Sequence, residues 1–202
     1  MDQDRSIEFW FDFGSGYAYF AALEIDAIGA RLGRRVEWRP FMLGTAFKVT
    51  GSRGLSATPL KRDYAERDWK RIARLRGVPF QLPEHHPSVA LAAVRVFYLV
   101  DDVDPVLAKT FACAVLEAYY TRGIDSGNLD DVVAVAASLG LDGADLAARA
   151  VTPSVKERVK RVSEEAVAAG IFGSPFFIVD GEPFWGWDRL AMMEDWVERG
   201  GW

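Results

Sequence analysis

Apolar positions along the chain change their period several times. Residues 7–13 are almost continuously aromatic and aliphatic and run into Gly14-Ser15-Gly16, the pattern of a buried strand handed over to a turn. From residue 17 to 32 the period becomes helical, with Tyr17, Phe20, Ala21, Ile25 and Ile28 near one face, and Gly33 stands where that helix would close. Residues 34–39 alternate and predict a second strand. A strand, a helix and a strand over this length suit a βαβ crossover.

The middle of the chain has a different texture. Residues 47–59 carry Gly51, Ser52, Gly54 and Ser56 and read as a loop, and residues 61–76 form a densely charged helix with Tyr64, Trp69, Ile72 and Leu75 at helical spacing. After three prolines, helical patterns cover residues 88–100, 106–122, 129–139, 142–150 and 153–170, the last opening on Pro153, where a missing N–H costs nothing. Strand character returns at residues 176–179. Asp180-Gly181 marks a two-residue hairpin, Pro183 limits the returning strand to an edge, and Asp188 is placed to cap a last helix ending near Arg199. Strands at both ends with helices between predict an α/β chain: a thioredoxin-like fold carrying an inserted all-helical domain. Residues 1–45 and 153–202 would form the thioredoxin-like part and residues 46–152 the insertion.

Composition narrows the function. The 202 residues are 50% hydrophobic with a formal charge of −5, which provides for a real core and disfavours a nucleic-acid partner. The charged N-terminus carries no signal-peptide pattern, and no apolar run is long enough to span a bilayer, so a cytoplasmic protein without membrane partners is expected. The single cysteine, Cys113, permits neither an internal disulfide nor a CxxC pair, and its apolar surroundings read as core. Glu84-His85-His86 lacks metal-ligand spacing and reads as a polar loop within reach of a substrate, so no metal is expected.

Ser15 occupies the handover from first strand to first helix, where free N–H groups stabilise an anion and a redox enzyme of thioredoxin type would carry a cysteine. A serine there performs no disulfide exchange, but its hydroxyl can donate to a sulfur that arrives with a ligand. The plain alternative is a helix N-cap, and a nucleophilic serine is a weaker third reading because Asp12-Phe13-Gly14-Ser15-Gly16 is no nucleophile elbow. Ser174-Pro175 before the third strand is a candidate cis peptide whose backbone could pair with a peptide-like ligand. Asp188, between Trp187 and Arg189, is either a cap or a carboxylate for a ligand's ammonium group; Lys48 and Arg53 are either solvated or hold a substrate carboxylate.

Three segments together carry a resemblance: Phe11 to Tyr19 (Phe-Asp-Phe-Gly-Ser-Gly-Tyr-Ala-Tyr), Arg39 to Gly51 with its Phe47-Lys48-Val49-Thr50-Gly51 end, and Phe172 to Leu190 with Gly173-Ser174-Pro175 and Trp185-Gly186-Trp187-Asp188-Arg189. In order and spacing the chain resembles the 2-hydroxychromene-2-carboxylate isomerase family, related to kappa-class glutathione transferases and the wider DsbA-like thioredoxin superfamily. The resemblance implies a glutathione-dependent cis–trans isomerase of aromatic keto acids and a homodimer. It implies that Ser15 is catalytic and faces the glutathione sulfur. Ser174 and Pro175 would pair with the tripeptide backbone, and Trp187, Asp188 and Arg189 would hold its γ-glutamyl end. Lys48, with Arg53 and His86, would lie on the side of the aromatic carboxylate substrate. The sequence departs from the family pattern at Gly16, where the family has proline, and at Ser52-Arg53-Gly54 and Glu84-His85-His86-Pro87. A kappa-type transferase or peroxidase and a non-catalytic thiol- or peptide-binding module are the competing readings.

Overall fold

Alternation along the first strand decides the layering. In the computed structural model, which describes residues 5–202, β1 (Ser6–Phe11) turns Ile7, Phe9 and Phe11 to one face and Trp10 to the other. It pairs in parallel with β2 (Arg35–Pro40) and antiparallel with β3 (Phe176–Val179), Phe9 lying opposite both Trp38 and Phe177. β4 (Glu182–Trp185) adds antiparallel to β3, giving the order β2-β1-β3-β4. On one face the Phe9 ring stacks on Phe11 at 4.8 Å and on Phe177 at 5.4 Å, with Trp38 edge-on at 4.9 Å. On the other face Trp10, Phe41 and Phe176 pack with Ala166 and Ile171. From Phe9 to Phe11 both faces of β1 are therefore dry, which explains the unbroken apolar sequence there, while Glu8 on the Trp10 face stays partly exposed.

The crossover between the parallel strands is made by two helices where one was expected. α1 (Gly16–Ala22) and α2 (Ile25–Arg31) break at Leu23-Glu24, where the Glu24 carboxylate accepts from Trp187 Nε1 at 2.6 Å and pairs with Arg76 at 3.1 Å. Those long-range bonds override the continuous helical period. The loop expected at residues 47–59 begins later: α3 (Leu43–Thr50) continues to the left-handed Gly51, and only a 3-10 turn, Leu55–Ala57, follows. α4 (Lys61–Arg76) falls where its periodicity placed it. α5 (Leu91–Asp101) starts later than expected because Ser88 N is held by the Tyr119 hydroxyl instead of entering a helix. α6 (Pro105–Glu117) passes into a π-helical turn, Ala118–Arg122, that drives Tyr119 and Tyr120 into the core. α7 (Leu129–Ser138), α8 (Gly143–Ala150) and α9 (Pro153–Ala168) follow the sequence pattern. Asp180 and Gly181 both take positive φ, as a primed hairpin turn demands, and Arg34 clamps Asp180 through two bonds of 2.7 Å. Asp188 does not cap the last helix: a 3-10 turn, Trp187–Arg189, intervenes, and α10 (Leu190–Arg199) begins without a side-chain cap.

The helical segment is joined to the sheet through one apolar core. Phe97 of α5 meets Phe11 edge-on at 6.4 Å, the Tyr98 hydroxyl donates to Pro40 O at 2.8 Å, and the Tyr19 hydroxyl donates to Pro79 O at 3.1 Å. The 45/46 boundary drawn from sequence falls inside α3.

His86 fastens the loop before α4 to this core. Its ring is buried, with Nε2 2.6 Å from Ser56 Oγ and Nδ1 2.9 Å from the Tyr119 hydroxyl. Burial, helped by the charges of Arg62 and His85, pushes its pKa down to about 4 from 6.5. Between those values the unfolded chain carries a proton at this ring that the folded chain lacks, so His86 contributes stability above pH 6.5 that is lost as pH falls toward 4. Denaturant unfolding of wild type and His86→Leu should therefore show a stability gap at neutral pH that narrows on acidification; a pH-independent gap would disprove the buried neutral ring.

Candidate functional site

The end of β1, the start of α1 and the entry to β3 meet in a closed ring of hydrogen bonds. Asp12 N donates to Ser174 Oγ at 2.8 Å, Ser15 Oγ donates to Ser174 O at 2.9 Å, and Ser15 N donates to Asp12 O at 3.0 Å. Ser15 also caps α1, its oxygen accepting from Ala18 N at 3.3 Å. The N-cap reading and the site reading are thus compatible: one lone pair serves the helix, while the proton points at the neighbouring segment. The Ser174–Pro175 peptide is cis. The Ser174 N–H has no partner among the described residues, so it is a main-chain donor open to a peptide-like ligand.

Asp12, given no role from sequence, lies under this turn. Its carboxyl is buried and accepts from Gly14 N through Oδ1 at 2.8 Å and from Leu43 N through Oδ2 at 2.9 Å. Burial raises its pKa, and the Leu43 and Gly14 N–H groups oppose that rise. A carboxylate between Phe11 and Phe13, at the end of an aromatic strand, was the available signal, because a charge buried there must find donors.

Gly16 is a requirement of its neighbour. A Cβ at residue 16 would stand 2.7–2.9 Å from three atoms of the Trp69 indole, which lies over the turn and meets His86 edge-on at 5.6 Å. Here an aromatic wall fills the space that a side chain at residue 16 would need. One residue on, the Tyr17 hydroxyl donates to Asp68 at 2.9 Å, and its pKa is raised by burial first, then by Asp68, Tyr64 and Asp188. Asp188 belongs to the 3-10 turn that packs against α1, close enough for its charge to reach the Tyr17 hydroxyl.

The structure brings Ser15, Ser174 and Pro175 together at the Ser15 turn, whereas Trp187 packs at the other end of α1, meeting Phe20 at 6.2 Å, donating to Glu24 and carrying Arg76 over its ring at 5.1 Å, with Asp188 next to it in the chain. Arg189 pairs with Asp188 at 2.9 Å and borders a cleft of about 390 Å³ walled by Pro183, Phe184, Trp185, Trp196 and Trp202, away from Ser15. Lys48, in the last turn of α3, and Arg53, between α3 and α4, are exposed and make no ion pair among the described residues. His86 presents no free nitrogen and reaches the turn only through Trp69. Cys113 sits on α6 with its thiol pushed up to about 11, chiefly by burial, so it supplies no thiolate at neutral pH. Among the described residues no cluster of metal-ligating side chains occurs.

Gly16→Ala should destabilise the fold by roughly 1–3 kcal/mol through overpacking against Trp69. In a double-mutant cycle by denaturant unfolding, Trp69→Leu should relieve most of that loss; additive losses would disprove the steric account.

Comparison with known proteins places this geometry. Residues 6–198 match the family model of the DSBA-like thioredoxin domain. A 2-hydroxychromene-2-carboxylate isomerase of Sphingobium xenophagum is 26% identical over 195 residues, covering 96% of this chain and 98% of the relative. A glutathione S-transferase kappa 2 of Caenorhabditis elegans is 25% identical over 210 residues, covering 98% and 93%. A solved structure of 2-hydroxychromene-2-carboxylate isomerase superposes with a TM-score of 0.85 at 25% identity, over 96% of this chain and 94% of that one. The chain belongs to the DSBA-like thioredoxin domain family.

Proposed function

We propose that this protein is a glutathione-dependent cis–trans isomerase acting on aromatic keto acids of the 2-hydroxychromene-2-carboxylate type. The observation that carries the reading is the Ser15 hydroxyl, 2.9 Å from the Ser174 carbonyl, beside a Ser174 N–H without a partner among the described residues, in a chain whose one thiol is half-buried elsewhere. Relatives named as isomerases and kappa transferases at 25–26% identity support the same class of chemistry.

The residues suit a tripeptide thiol. The Ser174 N–H offers main-chain pairing, and Asp188, exposed beside Trp187, offers a carboxylate to the γ-glutamyl ammonium group. When bound, glutathione would supply a thiolate able to add reversibly to a conjugated carbon, so that a double bond becomes single, rotates and re-forms. The chain's part is electrostatic. The Ser15 proton, held on a neutral carbonyl in the free protein, turns to a charged sulfur because an ionic acceptor makes the stronger bond. The free N–H groups of the first turn of α1 add to that stabilisation. Trp69 and Tyr17 keep water from one side of the turn, and Lys48 and Arg53 are the cations available to a substrate carboxylate.

Calorimetric titration should show glutathione binding, and the bound thiol, followed by its ultraviolet thiolate absorbance, should titrate below its free value. Ser15→Ala should raise the bound thiol's pKa by about one to two units, the worth of one charge-assisted hydrogen bond. An unchanged titration removes Ser15 from the chemistry, and absence of binding at millimolar glutathione favours a non-catalytic module. The kappa-named relatives favour a second reading, a glutathione transferase or peroxidase on the same site. Mass balance decides between them, because an isomerase returns all its glutathione and a transferase consumes it.

A further inference from the structure

We propose that Asp12 is the positioning residue that holds the thiol side and the substrate side of the site in one register, with Oδ1 fastened to the Ser15 turn and Oδ2 to the start of α3. The inference rests on the glutathione reading above and adds a residue to it.

The geometry is specific to a carboxylate. Gly14 N and Leu43 N approach the two oxygens of Asp12 at 2.8 and 2.9 Å, from segments that carry opposite halves of the site. Gly14 leads into Ser15, and Leu43 begins the helix that carries Lys48 in its last turn. The backbone of Asp12 adds a third tie, its N–H donating to Ser174 Oγ at 2.8 Å. One residue is thus bonded to the turn, to α3 and to the cis-proline segment.

An asparagine of the same size would satisfy one of the two N–H groups without burying a charge, but its amide would turn an N–H₂ toward the other. Only a carboxylate offers acceptors in both directions. Tyr119 and Tyr120 are near enough to feel its charge, yet neither hydroxyl bonds to it, so the two backbone donors are its partners. The next backbone group of the same helix start is held independently: Met42 N donates to Ser163 Oγ at 3.0 Å. Ser163 therefore provides a matched comparison, a buried acceptor for α3 with no link to Ser15.

The experiment compares Asp12→Asn, Leu43→Pro and Ser163→Ala, using glutathione affinity by calorimetry and steady-state isomerisation of 2-hydroxychromene-2-carboxylate. Leu43→Pro deletes the same bond from the other side, at a first helical position that accepts proline, and covers the case in which Asp12→Asn fails to fold. Asp12→Asn and Leu43→Pro should each keep glutathione affinity within about threefold and lower kcat about ten- to a hundredfold, the cost of misaligned reacting groups. Ser163→Ala should stay within about twofold of wild type on both measures, the behaviour of a surface-independent structural contact. In combination with Lys48→Met, Asp12→Asn should lose less than the product of the two single losses, because Lys48 is already displaced. Wild-type kcat in Asp12→Asn or Leu43→Pro, an equal fall in Ser163→Ala, or multiplicative losses with Lys48→Met would overturn the role of Asp12 alone. A wild-type protein that neither binds glutathione nor isomerises the probe overturns both readings.

Discussion

The hydrogen bond from Ser15 to the Ser174 carbonyl joins residues 159 positions apart, and the site exists only where the fold makes that approach possible. The constraint behind it is the burial of β1 on both faces. With Phe9 and Phe11 stacked against Phe177 and Trp38, and Trp10 packed against Phe41, the strand has a single register with β2 and β3. A one-residue slip would exchange its two faces and take Asp12 away from Ser174. Aromatic packing in the sheet thus does the positioning that the polar ring above it records.

That ring also explains how a short helix is made useful. α1 has only seven residues, and no acidic side chain stands in its first turn to compete for the free N–H groups. Its direction is fixed from outside, by Trp69 over Gly16, by Asp68 on the Tyr17 hydroxyl and by Glu24, where Trp187 and Arg76 converge at its far end. The break after Ala22 belongs to the same arrangement, since a continuous helix would carry Glu24 onward with the turn instead of leaving it to Trp187.

Much of this was legible in the residues. The four strands, the hairpin at Asp180-Gly181, the helix of residues 61–76 and the prominence of Ser15 and Ser174-Pro175 follow from period, turn chemistry and resemblance. What escaped was whatever depended on partners remote in sequence. The break at Glu24 needs Trp187; the late start of α5 needs the Tyr119 hydroxyl; the inward turn of His86 needs Ser56 and Tyr119 together. Asp188 read as a cap because its local sequence allows one, but Gly186 at φ 107° and the 3-10 turn leave its carboxylate exposed. Local patterns specify elements, whereas long-range bonds decide where elements stop.

Gly16 shows the same principle acting on chemistry. Read alone, a glycine after Ser15 loosens the turn, since it removes the restriction that a proline or any Cβ would impose. In the fold the restriction is supplied by the Trp69 ring, which occupies the space from the opposite side and is itself backed by His86, Ser56 and Tyr119. Rigidity at Ser15 is thereby moved from the backbone of the turn to a side chain of the helical segment. The consequence is that the helical segment helps to set the geometry of the serine as well as covering it, and substitutions near residues 56, 69 and 86 act on the site without touching a ligand. The buried carboxylate of Asp12 works against a thiolate placed above it, because like charges in a dry setting repel. Its two backbone donors draw that charge down toward Gly14 and Leu43. On the proposed reading, a thiolate at Ser15 would be favoured only while these donors stay in place, which ties the electrostatics of the site to the same aromatic packing that holds β1.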